Sequence, residues 1–376
     1  MQTQPIPKVL FVDLSHRFGG SSTRVLGQLS LLPRERAGLA VIEDSPVCRQ
    51  AQEMGFTVHP VGRFKTDWRI LPRLVHLVRR EGYQVLDTQN IQSKFWASLA
   101  ALWTKTVLIS TLNSWYVFEH GQNWRAWVYT ALELLTNFRL SGYITVSRTV
   151  QAAVQAAYPR APFVELIYNA VEIPEPLPQG DRSWLARTFS IPEHALICLA
   201  VGRLVWAKGY EDLLEAFALV AQEDASLHCL IIGEGNLRSS LETLLQEKNL
   251  IGRVSLGGYQ PPEVVFRALR AADLFVMSSR QEGTPIALLE AAAHALPIVA
   301  TSCGGIPELV TDEIHALLVP PERPDLLAQS LLRLARDPAL RRNLGQAART
   351  HVRDRFSLHA QVQATLEVYR RALVHN

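Results

Sequence analysis

Residues 282–290, EGTPIALLE, carry two carboxylates at the ends of a stretch with no other charge. Pro285 is well placed as the first residue of a helix, which puts Glu282 in the loop before it. Gly283 and Thr284 then bring backbone N–H groups to the helix N-terminus, a natural site for an anion. The spacing therefore predicts an anion-binding loop with an acid beside it.

The second carboxylate, Glu290, lies inside a segment whose neighbours are almost all apolar. A helix that is apolar nearly all round is buried, and a buried carboxylate needs a hydrogen-bond partner. Hydroxyl groups of a ligand would supply one. Alternatively, Glu290 pairs with His294 one turn later on an exposed strip, and Glu282 is an ordinary surface acid.

A basic pair, Arg203 and Lys208, lies in the segment VGRLVWAKG between a predicted strand and a predicted helix. A fixed guanidinium and a flexible ammonium at this spacing suit a diphosphate. The alternative is that both are solvated loop cations, which are common on protein surfaces.

Glycine-rich loops follow several other predicted strands. Gly233-Glu234-Gly235 favours a tight turn over a dinucleotide site, because the third glycine of that fingerprint is missing. Gly19 and Gly20 follow the first predicted strand, and Cys303–Glu308 follows a strand at 297–301. All these loops fall at the same end of their predicted sheets, which favours a shared ligand site.

The elements that position these loops are strands alternating with helices, which indicates parallel sheets covered on both faces. The alternation stops at 168–183, a proline-rich linker, and then resumes. We therefore predict two doubly wound α/β domains, residues 1–175 and 176–355, with a ligand cleft between them at the carboxyl ends of the strands. Residues 356–376 form a last helix, which we expect to cross back to the first domain.

The composition is that of a folded globular protein. The 376 residues are 48% hydrophobic and 19% charged, which excludes a disordered chain. A net charge of +3 is too small to indicate a nucleic-acid partner. The four cysteines form no metal-binding or disulfide pattern, and neither a signal peptide nor a membrane span is evident. These features favour a cytoplasmic protein with reduced thiols.

Taken together, these motifs resemble glycosyltransferases of the GT-B architecture, specifically the retaining family 4 type. The resemblance covers most of the chain and is strongest across 198–320. There the motifs stand in family order, as GRLVWAKG, IIGEGNLRSSLE, SSRQEGTPIALLEAAAHALPIVAT and GGIPELV. The segments GGSSTRVLGQL and IYNAVEI resemble family features less specifically.

The resemblance implies a role for each matched residue. Arg203 and Lys208 would bind the donor diphosphate in place of a metal ion, so that neither a metal nor another cofactor is expected. Glu290 would bind the ribose hydroxyls, and Glu282 would lie beside the transferred sugar. The remaining donor-binding residues would be Gly19, Gly20, Gly233, Gly283, Thr284, Pro285 and Ile286. The implied donor is a nucleoside diphosphate sugar, with UDP the commonest carrier.

One position departs from the family pattern. A histidine usually follows the first-domain strand that corresponds to TVLISTL, whereas this chain has Asn113. Asparagine can hydrogen-bond to a sugar hydroxyl but cannot titrate. The substitution keeps open a nucleotide-sugar-binding protein with impaired transfer. A nucleotide-sugar epimerase is the other alternative, which the ordered acid and cation set disfavours.

The resemblance implies that the first half holds the acceptor, a glycan or a lipid-linked sugar of cell-envelope assembly. Its aromatic residues suit sugar rings, lipid interfaces or core packing; they are Trp96, Trp103, Trp115, Tyr116, Phe118, Trp124, Trp127 and Tyr129. Segment 67–83 has an apolar stripe opposite Arg69, Arg73, Arg79 and Arg80. This segment lies on an anionic membrane surface or, more simply, covers the sheet with a solvated basic face.

Overall fold

The computed structural model describes residues 5–16, 18–113, 124–224 and 226–374, and at Trp124–Trp127 and Tyr129 it describes the backbone alone. The chain divides into two compact units. Unit 1 comprises Met1–Ala170 and Leu358–Asn376, and unit 2 comprises Val171–Ser357. The break between them falls inside the predicted linker, and the last helix belongs to unit 1.

Unit 1 is built on a parallel sheet in the order β3-β2-β1-β4-β5-β6-β7. Its strands are β1 (Val9–Asp13), β2 (Ala37–Ile42), β3 (Val58–Gly62), β4 (Val85–Thr88), β5 (Val107–Leu112), β6 (Gly142–Thr145) and β7 (Val164–Leu166). Its described helices are α1 (Gly20–Leu31), α2 (Pro46–Glu53), α3 (Ile70–Glu81), α4 (Ile91–Thr104), α5 (Trp124–Leu135), α6 (Arg148–Ala157) and α15 (Leu358–Val374), with a 3-10 turn at Thr136–Arg139.

Both faces of this sheet are buried, because successive side chains of a strand point to opposite sides. Val9 and Phe11 pack with α1, α2 and α15 on one face. Leu10 and Val12 pack with α3, α4 and α6 on the other. The continuous apolar run of β1 is therefore what a doubly covered parallel strand requires.

Unit 2 repeats the design with a parallel sheet in the order β10-β9-β8-β11-β12-β13. Its strands are β8 (Leu196–Val201), β9 (Leu227–Ile232), β10 (Val254–Gly258), β11 (Leu274–Met277), β12 (Ile298–Thr301) and β13 (Leu317–Val319). Its described helices are α7 (Arg182–Phe189), α8 (Tyr210–Glu223), α9 (Arg238–Glu247), α10 (Pro262–Ala271), α11 (Ile286–Ala293), α12 (Ile306–Leu309), α13 (Pro324–Arg336) and α14 (Pro338–Arg355), with a 3-10 turn at Trp206–Lys208. The predicted doubly wound α/β architecture is confirmed in both units.

Segment 67–83 forms α3, and its apolar stripe faces inward. Ile70, Leu74, Leu77 and Val78 are buried in the core of unit 1. The stripe is therefore not available to a membrane, and the structure favours the simpler expectation of a sheet-covering helix with a solvated basic face.

Candidate functional site

The predicted site loops of unit 2 converge at the carboxyl edge of its sheet. Strand β8 is followed in the chain by β9 on one side, whereas β11 lies on its other side. The strand order reverses between β8 and β11, and ligands of open α/β sheets bind at such a switch point. The loop after β8 carries Arg203 and Lys208, and the loop after β11 carries Glu282.

A side-chain ion pair joins these two loops. The Lys208 Nζ contacts Glu282 Oε1, and the Ser279 hydroxyl donates to the same oxygen at 2.6 Å. Both members of the pair are largely buried, with side-chain exposures of 21% for Lys208 and 9% for Glu282. The structure therefore brings together two of the predicted catalytic residues, which lie far apart in the chain.

Close backbone contacts hold the loops in place. A Cβ added at Gly209 would lie 2.2 Å from the Ser278 carbonyl oxygen, and one added at Gly304 would lie 1.9 Å from that of Glu282. Both glycines have positive φ angles, of 60° and 53°, which side chains rarely adopt. The Ser278 hydroxyl also donates to the Lys208 carbonyl oxygen at 3.0 Å. A larger residue at either glycine would therefore displace the backbone at Ser278 or at Glu282.

Arg280 is a further residue of this region that motif spacing did not single out. Its guanidinium forms a bidentate pair with Asp212, at 2.9 Å from Nε and 2.8 Å from Nη2. The Arg280 backbone N–H donates to the Ala207 carbonyl oxygen at 2.9 Å, and the Trp206 ring lies 5.4 Å from the guanidinium. Arg280 therefore fastens the Lys208 loop to the Glu282 loop. Arg280 and Asp212 are 68 residues apart in the chain, so the contact between them is seen only in the folded structure.

The remaining cation, Arg203, is exposed and forms no ion pair with any described residue.

The packing of two loops explains the glycine at position 233. A Cβ there would lie 1.8 Å from the Gly202 carbonyl oxygen. That approach packs the β9 loop against the β8 loop. The tight-turn interpretation of the GEG segment is therefore sufficient, and the role of Gly233 in binding a donor stays a prediction.

Glu290 lies in α11, which begins at Ile286 with Pro285 as its N-cap. The prediction that Pro285 is the first helical residue is wrong by one position. Glu290 is half-buried, and desolvation by its apolar surroundings raises the pKa of Glu290 from 4.5 to about 8, so that the group holds a proton at pH 7. In the described part of the chain its carboxyl group has no hydrogen-bond or ion-pair partner.

The alternative partner of Glu290 is not used. The His294 ring contacts the backbone carbonyl oxygen of Glu290, with Nδ1 at 2.8 Å, and stacks on Phe266. The structure therefore does not contain the alternative, an exposed ion pair between Glu290 and His294. The Thr284 side chain is buried beside the start of α11, and Gly283 is half-buried.

The predicted residues of unit 1 lie at the carboxyl edge of its own sheet. Helix α1 begins at Gly20, and a Cβ added at Gly19 would meet nothing within 4 Å. The open space beside Gly19 would admit a ligand. Both polar atoms of the Asn113 amide are buried, and neither has a hydrogen-bond partner among the described residues. A partner from a ligand would satisfy them.

Several of the aromatic residues named from the sequence lie outside the part of the chain that the structure describes. Trp115, Tyr116 and Phe118 are outside the described residues, as are the side chains of Trp124, Trp127 and Tyr129. Within the described ranges, no three His, Cys, Asp or Glu side chains group as metal ligands would. Of the helices that the structure describes, none has both the length and the apolar character needed to span a membrane.

Two sequence-family models match the chain, one in each unit. Residues 19–174 match the model described as glycosyltransferase family 4, and residues 185–351 match glycosyl transferases group 1.

Curated relatives match over about half of their own length. An amylovoran biosynthesis glycosyltransferase of Erwinia amylovora is 34% identical over 46% of this chain and 44% of that protein. An alpha-D-kanosaminyltransferase of Streptomyces kanamyceticus is 29% identical over 51% of this chain and 50% of that protein.

Solved structures resemble nearly the whole chain. Anabaena HepE, solved in complex with UDP and glucose, superposes with a TM-score of 0.84 at 21% identity, covering 96% of this chain and 99% of that one. The sucrose-phosphate synthase of Thermosynechococcus elongatus gives a TM-score of 0.80 at 21% identity, covering 98% and 100%. At these identities the similarity establishes the fold.

Proposed function

We propose that this chain, which matches glycosyl transferases group 1 over residues 185–351 and glycosyltransferase family 4 over residues 19–174 and has the GT-B fold, transfers a sugar from a nucleoside diphosphate sugar to a hydroxyl acceptor. The observation that carries the proposal is the Lys208–Glu282 pair at the switch point of the unit 2 sheet. A cation and an acid held there by glycine contacts suit a diphosphate and the sugar attached to it.

The proposed transfer retains the anomeric configuration. The bond between the anomeric carbon and the diphosphate oxygen breaks as the acceptor oxygen approaches from the same face, and a donor phosphate oxygen takes the acceptor proton. Lys208 and Arg203 would stabilise the negative charge that grows on the departing diphosphate. With two cations in this role, the proposal requires no metal ion and no protein nucleophile.

The two glutamates have separate roles in this proposal. Glu282 would accept hydrogen bonds from hydroxyls of the transferred sugar. Glu290 would accept from the ribose hydroxyls, which would supply the partner that its carboxyl group lacks among the described residues. The backbone from Gly283 to Ile286, at the start of α11, would lie against the phosphates and the sugar.

We favour a UDP-sugar as the donor, supported by the UDP and glucose bound in the Anabaena structure.

Asn113 would contact the sugar, because its amide is buried without a described partner. The same observation supports the second candidate, a nucleotide-sugar-binding protein with impaired transfer, since an amide cannot exchange protons as a histidine can. Gly19 and Gly20 would lie near the donor phosphate.

The acceptor in this proposal is a glycan or a lipid-linked sugar of a cell-envelope polysaccharide or glycolipid. The relative from Erwinia is named for the biosynthesis of a polysaccharide, amylovoran. The cytoplasmic location predicted from the sequence stays a prediction.

A panel of UDP-, GDP- and ADP-sugars tests the proposal. The purified protein is incubated with each donor without acceptor and with a chelator present, and binding heat and nucleoside diphosphate release are measured. Binding with slow release from one donor supports the transferase. Binding without release, even after glycan and lipid-linked acceptors are added, favours the binding protein, and no binding to any donor contradicts both.

A further inference from the structure

Helix α4 of unit 1 presents large apolar side chains to solvent, whereas its buried face includes polar side chains beside small apolar ones. Phe95, Leu102 and Trp103 are exposed, Trp103 to 63%, whereas Lys94 and Ser98 have no exposed surface. The outer face of a surface helix ordinarily carries polar residues. An exposed apolar face of this kind marks an interaction surface.

The buried polar contacts fix this orientation. The Lys94 Nζ pairs with the Glu133 carboxylate and lies 2.8 Å from the Tyr143 hydroxyl. The Ser98 hydroxyl donates to the Thr136 carbonyl oxygen at 2.9 Å. Rotating α4 to hide its aromatic residues would break the buried ion pair, and leaving one charge buried and unpaired is strongly unfavourable. The apolar outer face is therefore built into unit 1.

Elements that contact α4 on both sides also carry exposed apolar side chains. The loop before α3 is joined to α4 by the Trp96 Nε1, which donates to the Lys65 carbonyl oxygen at 2.7 Å, and in this loop Trp68 is 74% exposed. On the other side, the turn at Thr136–Arg139 contacts α4 through Ser98. We define the aromatic face as Phe64, Trp68, Phe95, Leu102, Trp103, Leu135 and Phe138, all exposed.

Cations accompany the aromatic residues of this face. Lys65, Arg69 and Arg139 each adjoin one of them in the chain, and Lys105 follows Trp103 by two positions. The Arg79 guanidinium donates to the Trp103 carbonyl oxygen at 2.7 Å. Aromatic side chains with basic neighbours are characteristic of proteins that bind the interface of an anionic membrane.

Of the described acids near the aromatic face, Asp67 neutralises Arg69, and Glu133 is buried and paired with Lys94. Lys65 has no ion pair with a described residue. Glu81 pairs with Arg80 and Lys8, and Glu43 pairs with Arg63. Lys105 and Arg139 are exposed and have no ion pair with a described residue. The exposed charge around the face is therefore predominantly positive.

We propose that the aromatic face docks unit 1 on an anionic lipid bilayer. Aromatic rings would enter the headgroup region while the flanking cations meet lipid phosphates. A second copy of the chain is a poorer occupant, because a symmetric contact would set the same cations against each other. The proposal is independent of the transferase assignment, since membrane binding requires no sugar chemistry.

Vesicle sedimentation of the full-length protein tests the proposal. Vesicles of phosphatidylcholine alone are compared with vesicles containing phosphatidylglycerol, at low and high salt. We expect binding to the anionic vesicles at low salt, and weaker binding at high salt. The variant Trp68→Ser/Trp103→Ser should bind at least tenfold more weakly, whereas Ile251→Ser/Ile314→Ser, at exposed apolar positions of unit 2, should bind as the parent does.

Charge reversal provides a second test on folded protein. In Lys105→Glu/Arg139→Glu the affinity for anionic vesicles should fall about fivefold or more per position. The control Arg187→Glu/Arg342→Glu changes the net charge equally at exposed sites of unit 2, and its affinity should fall less. Only variants whose thermal unfolding midpoint equals that of the parent protein are compared. Failure to bind anionic vesicles, equal losses in face and control variants, or binding only to neutral vesicles would overturn the proposal. So would self-association of the protein through this face in place of vesicle binding.

Discussion

At the scale of single residues, the central feature is a cation that is already paired in the ligand-free protein. Glu282 contacts the Lys208 ammonium at the position we assign to the donor, while Arg203 is exposed. Donor binding would therefore rearrange the Lys208 contact while recruiting Arg203 from solvent. In the proposed reaction Lys208 is held in place before the donor binds, and Arg203 would become ordered on the diphosphate.

Replacing either cation should slow transfer. We expect Lys208→Ala and Arg203→Ala each to lower kcat about 10²–10³-fold, the effect of removing one preorganised group from a developing anion. Lys248→Ala and Arg187→Ala are matched controls at exposed positions of unit 2. The measurement is the initial rate of nucleoside diphosphate release. Rates near those of the parent in Lys208→Ala would remove this residue from the catalytic set.

Glu290 predicts how donor affinity depends on pH. Its pKa of about 8 in the free protein means that it is protonated at pH 7, whereas ribose hydroxyls that donate to it would favour the carboxylate. Binding should then release a proton, so affinity should rise with pH and level off above about pH 8. Titration calorimetry in two buffers of different ionisation enthalpy measures the released proton. In Glu290→Gln both the release and the pH dependence should disappear.

The same group affects the stability of the free protein. Because its folded pKa lies above the ordinary 4.5, the unfolded chain binds fewer protons between those values, and stability falls as pH rises through this window. Glu290→Gln should therefore unfold at a higher temperature than the parent at pH 8, with a gain of about 1–3 kcal/mol. An unchanged midpoint at pH 8 would contradict the raised pKa.

At the scale of elements, the site depends on how closely the strand-end loops approach each other. Gly304 has φ of 53° and leaves no room for a Cβ beside the Glu282 carbonyl oxygen. Gly252 has φ of 81° but open space around it. A side chain at either glycine would be strained by the positive φ angle, but only one at Gly304 would also clash with its surroundings.

Alanine substitutions separate these effects. Gly252→Ala should cost about 1 kcal/mol of stability through its backbone conformation alone. Gly304→Ala should cost more and should also lower donor affinity, because the Glu282 loop must move. Urea unfolding and calorimetric titration of both variants give the comparison. Equal effects of the two substitutions on affinity would mean that the contact does not position the site.

At the scale of the whole molecule, the first compact unit is completed by the end of the chain. Helix α15 contributes Val362, Leu366 and Tyr369 to the core that contains β1 and α1. The Tyr369 hydroxyl also donates to the buried Asp87 carboxylate, which accepts from Thr111 at 2.8 Å. The core of unit 1 therefore combines side chains from the two ends of the given sequence.

A substitution in this helix should destabilise the first unit. Leu366 is 2% exposed, so Leu366→Ala is expected to cost about 2–5 kcal/mol. Val374→Ala, at 80% exposure in the same helix, should change stability by less than about 0.5 kcal/mol. Hydrogen exchange in β1 and α1 reports the effect within unit 1. Equal protection of the β1 and α1 amides from exchange in both variants would show that α15 is not part of the cooperative core.

The architecture and most of the candidate donor loops could be predicted from local patterns in the sequence. Apolar β-rich runs separated by helical periodicity are local patterns, and a parallel sheet follows from their alternation. Loops that follow strands must then lie at one edge, so Arg203, Lys208, Glu282 and the glycines could be placed there before any coordinates. The apolar neighbours of Glu290 likewise predicted a buried helix, and desolvation there raises the pKa of Glu290.

The tertiary structure alone decided which of these groups meet. Lys208 and Glu282 are paired because β8 and β11 are neighbours, and Arg280 reaches Asp212 across the same boundary. The inward rotation of Lys94 in α4 likewise depends on Glu133, which lies on another helix. These contacts join residues far apart in the chain, so they depend on strand order and helix packing, which the local pattern of the sequence does not encode.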